Sequence, residues 1–531
     1  MQHVNAVPRV DTAPPRETRE AVAASSPKPF YYLDNFRVML ETLQARDGDL
    51  LAAEELEFME SFSLLAQSSR ALLVRMLMRK GPLFRADRLR YAEIGDSGLA
   101  MQPLIDRGWV QDRPVLTLAD VFRLFGKADV AGYLGLDARQ ARESKAALMA
   151  ILATRLAEPQ PYERCRTALG QVYDLKIGTL CNRLVLMFFG NFRQDLSEFV
   201  LADLGVFRYE TTWSLAPSRP FANRRHVDDF HRLYACREML HAGRDLAEID
   251  AAVPPLISGC DWLEERRQKL RFQIARAYER AGNRMRALEL YSTCTYREAQ
   301  GRLERVRRAA NGAPRVRRPR SAVPSFEVTI EKSADGTAVE YGVRDHLLTA
   351  DGLETEVHYV ENGLINSLFG LLCWPAVFAP IPGAFFHPFH AGPADLSSAG
   401  FFERRREEFG ACFRELERGT YRETILRRYS DRYGVASPFV AWGLVDDAML
   451  ALACDCIPAQ HLALWFQWMV KDIRANKTGF PDLVQFWPRD RRYRLIEVKG
   501  PGDRLQDNQA ACLGYMLQYD MPVSVCRVRW L

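Results

Sequence analysis

The stretch GFPDLVQFWPRDRRYRLIEVKGPGDRLQDNQ, residues 479–509, decides how the C-terminal part of this chain is read. GFPDLVQFW (479–487) is a turn running into a strand with Asp482 at its start, because Gly-Phe-Pro ends the preceding structure and a β-prone run follows. The charged residues 488–492 make a hairpin loop, and YRLIEVKG (493–500) is a second strand whose Leu495, Ile496 and Val498 give it an apolar setting. Gly500-Pro501-Gly502 then breaks the chain, where a helix over 503–519 begins.

In a strand alternate side chains share a face, so Glu497 and Lys499 point the same way. With Asp482 across the hairpin, three polar groups converge at one sheet edge. Two carboxylates and a lysine suit phosphodiester hydrolysis assisted by a hard metal ion. The carboxylates supply oxygen ligands to Mg²⁺ or Mn²⁺. Such an ion polarises the phosphate and acidifies a water, while a lysine orients that water or stabilises the developing negative charge. Glu-x-Lys on an exposed strand is also the pattern of a surface salt-bridge ladder. The tight turn, the apolar setting and the Gly-Pro-Gly break favour the first reading.

Upstream the texture is helical. Residues 1–28 are polar, proline-bearing and without a signal-peptide pattern, and read as a disordered leader. From Phe30 to Phe207 the apolar spacing is that of helices, as in Tyr32-Leu33, Phe36, Met39-Leu40 and Leu43, and strands are hard to find. Residues 69–91 carry seven Lys/Arg against one acid. There Leu72, Leu73, Met76 and Leu77 supply an apolar face and leave Arg75, Arg79 and Lys80 for a phosphate-contacting surface. The aromatic stripe 184–192 reads as core. Near residues 310–325 the helical texture gives way to the strand Phe326–Ile330, through a linker within 301–320 that holds eight arginines and one glutamate.

At 531 residues, with 48% hydrophobic and 26% charged, the chain has material for two to four globular domains and is not a mostly disordered polymer. A net charge of +5, from 72 basic and 67 acidic residues, excludes a uniformly basic coat protein but not local basic faces. Only about ten of the basic residues are lysine, and arginine's planar fork suits bidentate phosphate contacts. The eleven cysteines are scattered, with no Cys-x-x-Cys, so reduced thiols are expected rather than zinc or disulfides. The uncharged run 363–386 is long enough to span a bilayer, yet its prolines make it a buried helix followed by a loop. His387 and His390 read as packing or solvent histidines, and no phosphate-cradling glycine loop occurs.

The spacing P-D…E-x-K resembles that of the restriction-endonuclease-like nucleases, and the longer string with EVKGPGDRL resembles the VRR-NUC domain. Residues 116–153, with Leu118, Leu124, the Leu134-Gly135-Leu136 turn, Lys145, Leu148 and Leu152, resemble a SAP-type DNA-binding module. Residues 273–294, with Ala275, Tyr278, Ala287 and Leu290-Tyr291, resemble one tetratricopeptide (TPR) unit. Together with YYLDNFRVMLETL near the N-terminus, these features resemble the Fanconi-associated nuclease family. The absence of any cysteine in 1–28, hence of the eukaryotic ubiquitin-binding zinc finger, points to its bacterial branch.

The resemblance implies a multidomain, mostly α fold: SAP-like and TPR-like helical regions, then an α/β restriction-endonuclease-like nuclease domain. The expected borders are a leader at 1–28, a helical DNA-binding region at 29–215, a TPR-like region at 216–310, a basic linker at 311–325 and the nuclease domain at 326–531. It further implies a metal-dependent 5′ flap endonuclease and 5′-to-3′ exonuclease acting in interstrand crosslink repair, with cytoplasmic, nucleoid-associated localisation. Asp482, Glu497, Glu361 and the Val498 carbonyl would hold one or two Mg²⁺ or Mn²⁺ ions, Lys499 would assist the attacking water, and Gln509 would position it or a ligand. Glu361 lies in HYVENGLINSLFGLLCW (358–374), where Val360 and Asn362 replace the family's usual glycine flanks. Its other reading is a helix-opening acid favoured by the macrodipole.

A 5′-phosphate pocket is expected from Arg474 and Arg302, with Asn508 where some relatives are basic. Arg504 either pairs with Asp503 or Asp507 or touches a phosphate. The expected partner is branched DNA with 5′ flaps and 5′-phosphorylated ends. Neither a membrane nor ubiquitin is expected, and monomer and homodimer both stay open. Two alternatives remain: a Holliday-junction resolvase-like nuclease, which shares the catalytic core, and a non-catalytic DNA-binding scaffold, against which the intact Asp482, Glu497 and Lys499 argue.

Overall fold

The periodic apolar residues of the N-terminal part fold as their spacing dictates. The computed structural model describes residues 29–133, 143–153, 170–211, 218–310, 323–332, 338–350 and 354–531. The leader 1–28, the 134–136 turn and the linker 311–322 lie outside them. The chain forms two compact units, one of Ser26–Asp203 with Arg219–Glu238, the other of Leu204–Ser218 with Met239–Leu531.

In the first unit, the helix Tyr31–Asp47 buries Tyr32, Leu33, Phe36, Met39, Leu40 and Leu43. It packs against the helices Gln67–Leu77 and Gly178–Phe189. Phe188, Phe189 and Phe199 pack ring on ring there, so the aromatic stripe is core. The expectation of an almost strand-free region is corrected by a three-stranded antiparallel sheet. Its strands β1 (Leu83–Arg85), β2 (Val110–Gln111) and β3 (Val172–Leu175) are ordered β1-β3-β2. Strands of two to four residues are too short to show an alternation, and their partners are far apart in sequence.

The SAP-like segment contains the helices Leu118–Leu124, Lys127–Tyr133 and Lys145–Ala153. Thr117 caps the first: its Oγ accepts the Asp120 amide at 3.1 Å, and Asp120 Oδ2 accepts the Thr117 amide at 3.1 Å. Leu116, Val121, Phe122, Phe125, Val130, Leu148 and Val172 form its core.

In the second unit, the helices Asp261–Arg280, Arg284–Ser292 and Ala299–Ala310 stack in order. Ala275, Tyr278, Ala287, Leu290 and Tyr291 are buried, and the third helix adds Leu303 and Val306. This TPR-like stack falls in the same compact unit as the C-terminal strands. Arg474, which pairs with Glu265 at 2.9 Å and Tyr296 at 3.0 Å, is one tie between them.

A five-stranded sheet follows, from β4 (Ser325–Ile330), β5 (Glu356–Tyr359), β6 (Leu483–Trp487), β7 (Arg492–Lys499) and β8 (Val523–Trp530), ordered β4-β8-β7-β6-β5. β5, β6 and β7 are antiparallel neighbours, while β7, β8 and β4 run parallel, with the helix Asp507–Gln518 crossing from β7 to β8. The helix Val339–Ala350 covers one face through Val343 and Leu347, against Val357, Leu483, Ile496, Val498 and Cys526. The alternate residues Val484, Phe486, Tyr493, Leu495, Val523 and Val525 join a large core on the other face. That core includes the helix Gly363–Leu372, buried along its length, so the uncharged run is core. Among the described residues no single helix is both long and apolar enough to cross a membrane. The ten described cysteines are free and buried. His387 and His390 stack with ring centroids 3.9 Å apart and accept backbone amides from Phe389 and Phe386, as packing histidines do.

Candidate active site

The β6–β7 hairpin sets the site. Leu483 pairs with Ile496, so Asp482, one step before the strand, faces Glu497 across the ladder. Asp482 Oδ2 accepts the Val498 amide at 2.8 Å, and the Asp482 carbonyl accepts the amides of Val360 and Glu361 at 2.8 and 2.9 Å. The same short bonds thus bring together three acids that lie far apart in sequence. Glu361 adopts φ 33°, an uncommon left-handed conformation for a side-chain-bearing residue, immediately before the Gly363–Leu372 helix. Tyr359 donates to Glu361 Oε2 at 2.6 Å, and Asn362 Nδ2 lies 3.4 Å from Oε1.

Glu497 is fully buried, and Lys499 Nζ lies 2.7 Å from its Oε1, the shared strand face that alternation requires. Beyond that ion contact neither carboxylate oxygen of Glu497 takes a well-directed hydrogen bond from the described residues. Burial is the largest influence on both acids. It pushes Glu497 up to about 7, with Asp482 adding repulsion and Lys499 opposing. It pushes Asp482 up to about 6, with the Val498 amide and Lys499 opposing and Glu340 and Glu361 reinforcing. A buried carboxylate with unspent lone pairs among other acids is a donor set that fits a hard divalent cation. As placed, no three His, Cys, Asp or Glu side chains among the described residues close around one point. Glu361's oxygens are directed to Tyr359 and Asn362 instead.

Two residues at this centre escaped the sequence reading. Tyr359 orients Glu361, and burial together with that hydrogen bond pushes its hydroxyl well up from its ordinary value. Glu340, in the first turn of the Val339–Ala350 helix, is near enough to act on both Asp482 and Tyr359. An isolated Val-Glu-Tyr carries no spacing signal; only the packing of that helix on β5 brings it in.

Residues 30–111 match the family described as "FAN1, HTH domain", and residues 416–530 match "VRR-NUC domain". The chain is 44% identical to the Fanconi-associated nuclease 1 homolog of Pseudomonas aeruginosa, over 95% of this chain and 96% of that one. The chain belongs to the Fanconi-associated nuclease family. An Arabidopsis thaliana homolog is 24% identical over 95% of this chain and 67% of its own length. A solved structure described as paFAN1 bound to 2nt 5′ flap DNA with gap superposes with a TM-score of 0.88 at 42% identity, covering 96% of this chain and 99% of the other. The VRR-NUC match starts at 416, whereas this Fanconi-associated nuclease draws Glu361, β4 and β5 from upstream of it.

The basic residues expected to meet phosphate are placed unequally in this family member. Arg75 pairs with Glu93 at 2.6 Å and lies over the rings of Tyr32 and Tyr91, within its own unit. Arg79 donates to the Arg88 carbonyl at 3.0 Å and Lys80 is exposed. Both line a cavity of about 450 Å³ with Arg85, Arg88 and Arg123. Arg302 pairs with Glu279 at 2.9 Å, and Arg474 with Glu265 and Tyr296, so each is engaged within the TPR-like and nuclease parts. Arg504 is exposed and makes no ion pair with Asp503 or Asp507 among the described residues. Gln509 Oε1 accepts the Gln506 amide at 2.9 Å, which ties its carbonyl to the helix N-terminus rather than to the acids.

Proposed function

We propose that this protein is a structure-specific nuclease that cleaves branched DNA at 5′ flaps. The observation that carries the reading is the Asp482–Glu497–Lys499 juxtaposition at the end of the β6–β7 hairpin. It stands in a chain matched over 96% of its length by a relative crystallised on gapped 5′ flap DNA. The finer reading adds dependence on one or two Mg²⁺ or Mn²⁺ ions, 5′-to-3′ exonuclease action, and work in interstrand crosslink repair in the cytoplasm at the nucleoid. A divalent ion held by Asp482, Glu497, Glu361 and the Val498 carbonyl would supply positive charge at the scissile phosphate and acidify the attacking water.

The chain's own residues do the rest. The ladder holds Asp482 against Glu497, and the Val498 amide fixes the Asp482 carboxylate in rotation. Lys499, held by Glu497, offers N–H donors to the oxygen on which negative charge develops. Tyr359 holds Glu361. The test is cleavage of 5′-phosphorylated and unphosphorylated flaps with Mg²⁺ or Mn²⁺, beside four-way junctions. Flap cleavage is expected, and Asp482→Ala and Lys499→Ala should each bind flaps normally while losing at least about 100-fold in rate. Preferential cutting of four-way junctions would favour the resolvase-like alternative, and undiminished cleavage by both variants would remove the site.

A further inference from the structure

Glu361 and Asp482 are delivered to the acid centre by two separate turns, and one side chain touches both. The first turn runs from Val360 to Gly363, whose amide donates to the Val360 carbonyl at 2.6 Å. Within it Glu361 holds φ 33°, a conformation that a side-chain-bearing residue keeps only where its surroundings over-determine it. The second turn carries Gly479 and Phe480 into Asp482 and β6. It rests on the helix Asp507–Gln518, since a Cβ on Gly479 would stand 2.8 Å from the Asn508 backbone.

Asn362 bridges the two turns. Its Oδ1 accepts the Phe480 amide at 3.1 Å, and its Nδ2 donates to Glu361 Oε1 at 3.4 Å. Chemistry dictates that orientation: an N–H needs an acceptor, so the carboxamide oxygen faces Phe480 and the NH₂ faces the carboxylate. Asn362 itself has φ −75° and ψ −3°, ordinary right-handed backbone, so the position uses the side chain and no special conformation. An aspartate here would set a second negative charge beside Glu361. An apolar side chain of the same size would take this acceptor from the amide of the buried Phe480. Glu361 has two other holds: its own amide on the Asp482 carbonyl at 2.9 Å, and the Tyr359 hydroxyl on Oε2 at 2.6 Å. Among the described residues, Asn362 is the hydrogen-bonded link from the Glu361 carboxylate to the turn that bears Asp482.

We propose that Asn362 is a positioning residue for the divalent-cation site, holding the Glu361 carboxylate in register with Asp482 by tying it to the Phe480 turn. The proposal rests on the nuclease reading, in which both acids are ligands. Hydrogen-bond partners of metal ligands are typically worth about 10- to 100-fold in metal affinity, which sets the effect to look for.

The experiment titrates Mn²⁺ into full-length, DNA-free protein by calorimetry and follows cleavage of gapped 5′ flaps over the same Mn²⁺ range. Asn362→Ala and Asn362→Gly both suit the backbone and add no bulk, and their metal-free melts report whether the fold stands. Each should weaken Mn²⁺ binding about tenfold or more. Half-saturation of cleavage should move by the same factor, and the rate at saturating Mn²⁺ should return nearly to that of the wild type. A merely structural defect would lower the rate at every Mn²⁺ concentration. The cycle with Glu361→Gln then separates the two roles. On that background, where the ligand is already lost, Asn362→Ala should leave the Mn²⁺ affinity where Glu361→Gln put it. Equal losses on both backgrounds, unchanged affinity in both Asn362 variants, or loss of the cooperative melt in both overturn the proposal. Mn²⁺ affinity untouched by Glu361→Gln, or no Mn²⁺ binding by the wild type, removes the ligand reading and the proposal with it. The expected pattern of Mn²⁺ affinities in a protein that cuts no flap would uphold the role of Asn362 and count against the nuclease reading alone.

Discussion

Glu497 shows what a single residue costs this fold. Its carboxylate is fully buried, faces Asp482 and has Lys499 as its cationic neighbour. An unfolded glutamate titrates near 4.3, whereas burial holds this one at about 7. A folded-state value above the unfolded one stabilises the protein below the unfolded value and loses that contribution as pH rises through the folded one. Without metal, Glu497 therefore burdens the folded state at pH 8, by an amount on the order of a few kcal/mol. Glu497→Gln should melt a few degrees above the metal-free wild type at pH 8, and the difference should shrink to nothing by about pH 4–5. Saturating Mn²⁺ should raise the wild-type Tm at pH 8 and leave the variant nearly unmoved. A variant less stable than the wild type at pH 8 would show that Lys499 needs Glu497 more than the core resents it. At this scale the sequence was legible where the partners are local. Glu497 and Lys499 are two apart on one strand, and Asp482 lies one hairpin away. Glu340 was hidden, and the pairing of Arg75 with Glu93 and its place over Tyr32 unseen, because those neighbours are set by helix packing that no spacing encodes.

Among the elements, the hairpin depends on the turn before it. Gly-Phe-Pro announces that turn in the sequence, and the structure supplies the reason for its glycine. Gly479 has φ 93°, and a Cβ would meet the backbone of Asn508 at 2.8 Å, with nothing flexible there to yield. Gly479→Ala should therefore destabilise by more than the roughly 1 kcal/mol typical of glycine replacement in a left-handed conformation. It should also displace Asp482 relative to Glu497. The expected outcome is a lowered melting temperature with a fall in kcat larger than the rise in KM for flap DNA; a variant with wild-type kcat would show that the turn and the helix can part without moving the acids. The long elements were readable because their apolar period survives over ten or more residues, as in Tyr31–Asp47 and Gly363–Leu372. β1, β2 and β3 were not, since strands this short are selected by their distant partners and carry no pattern of their own.

Over the whole molecule the charges nearly cancel, at +5, yet they are sorted. About half of the described arginines are already balanced by an acid, as in Arg75 with Glu93, Arg302 with Glu279 and Arg474 with Glu265. Counting arginines in the sequence therefore overstates the surface left for a polyanion. The basic cavity of the N-terminal unit narrows the choice further. Arg85 pairs with Asp87 and Arg123 with Asp120, which leaves Arg79, Lys80 and Arg88 without an ion pair among the described residues, and of these Arg79 is already held by the Arg88 carbonyl. Replacing Lys80 and Arg88 with alanine should weaken binding to flapped and plain duplex DNA alike and reduce the salt slope by up to about 1.8, at about 0.9 for each phosphate no longer neutralised. The rate at saturating DNA should stay that of the wild type, because neither residue belongs to the acid centre. Asp482→Ala should do the reverse, with affinity and salt slope kept and turnover gone. If Lys80→Ala/Arg88→Ala lowered turnover at saturation but left the salt slope intact, the cavity would be part of catalysis rather than of duplex binding, and the division of labour between the two units would have to be redrawn.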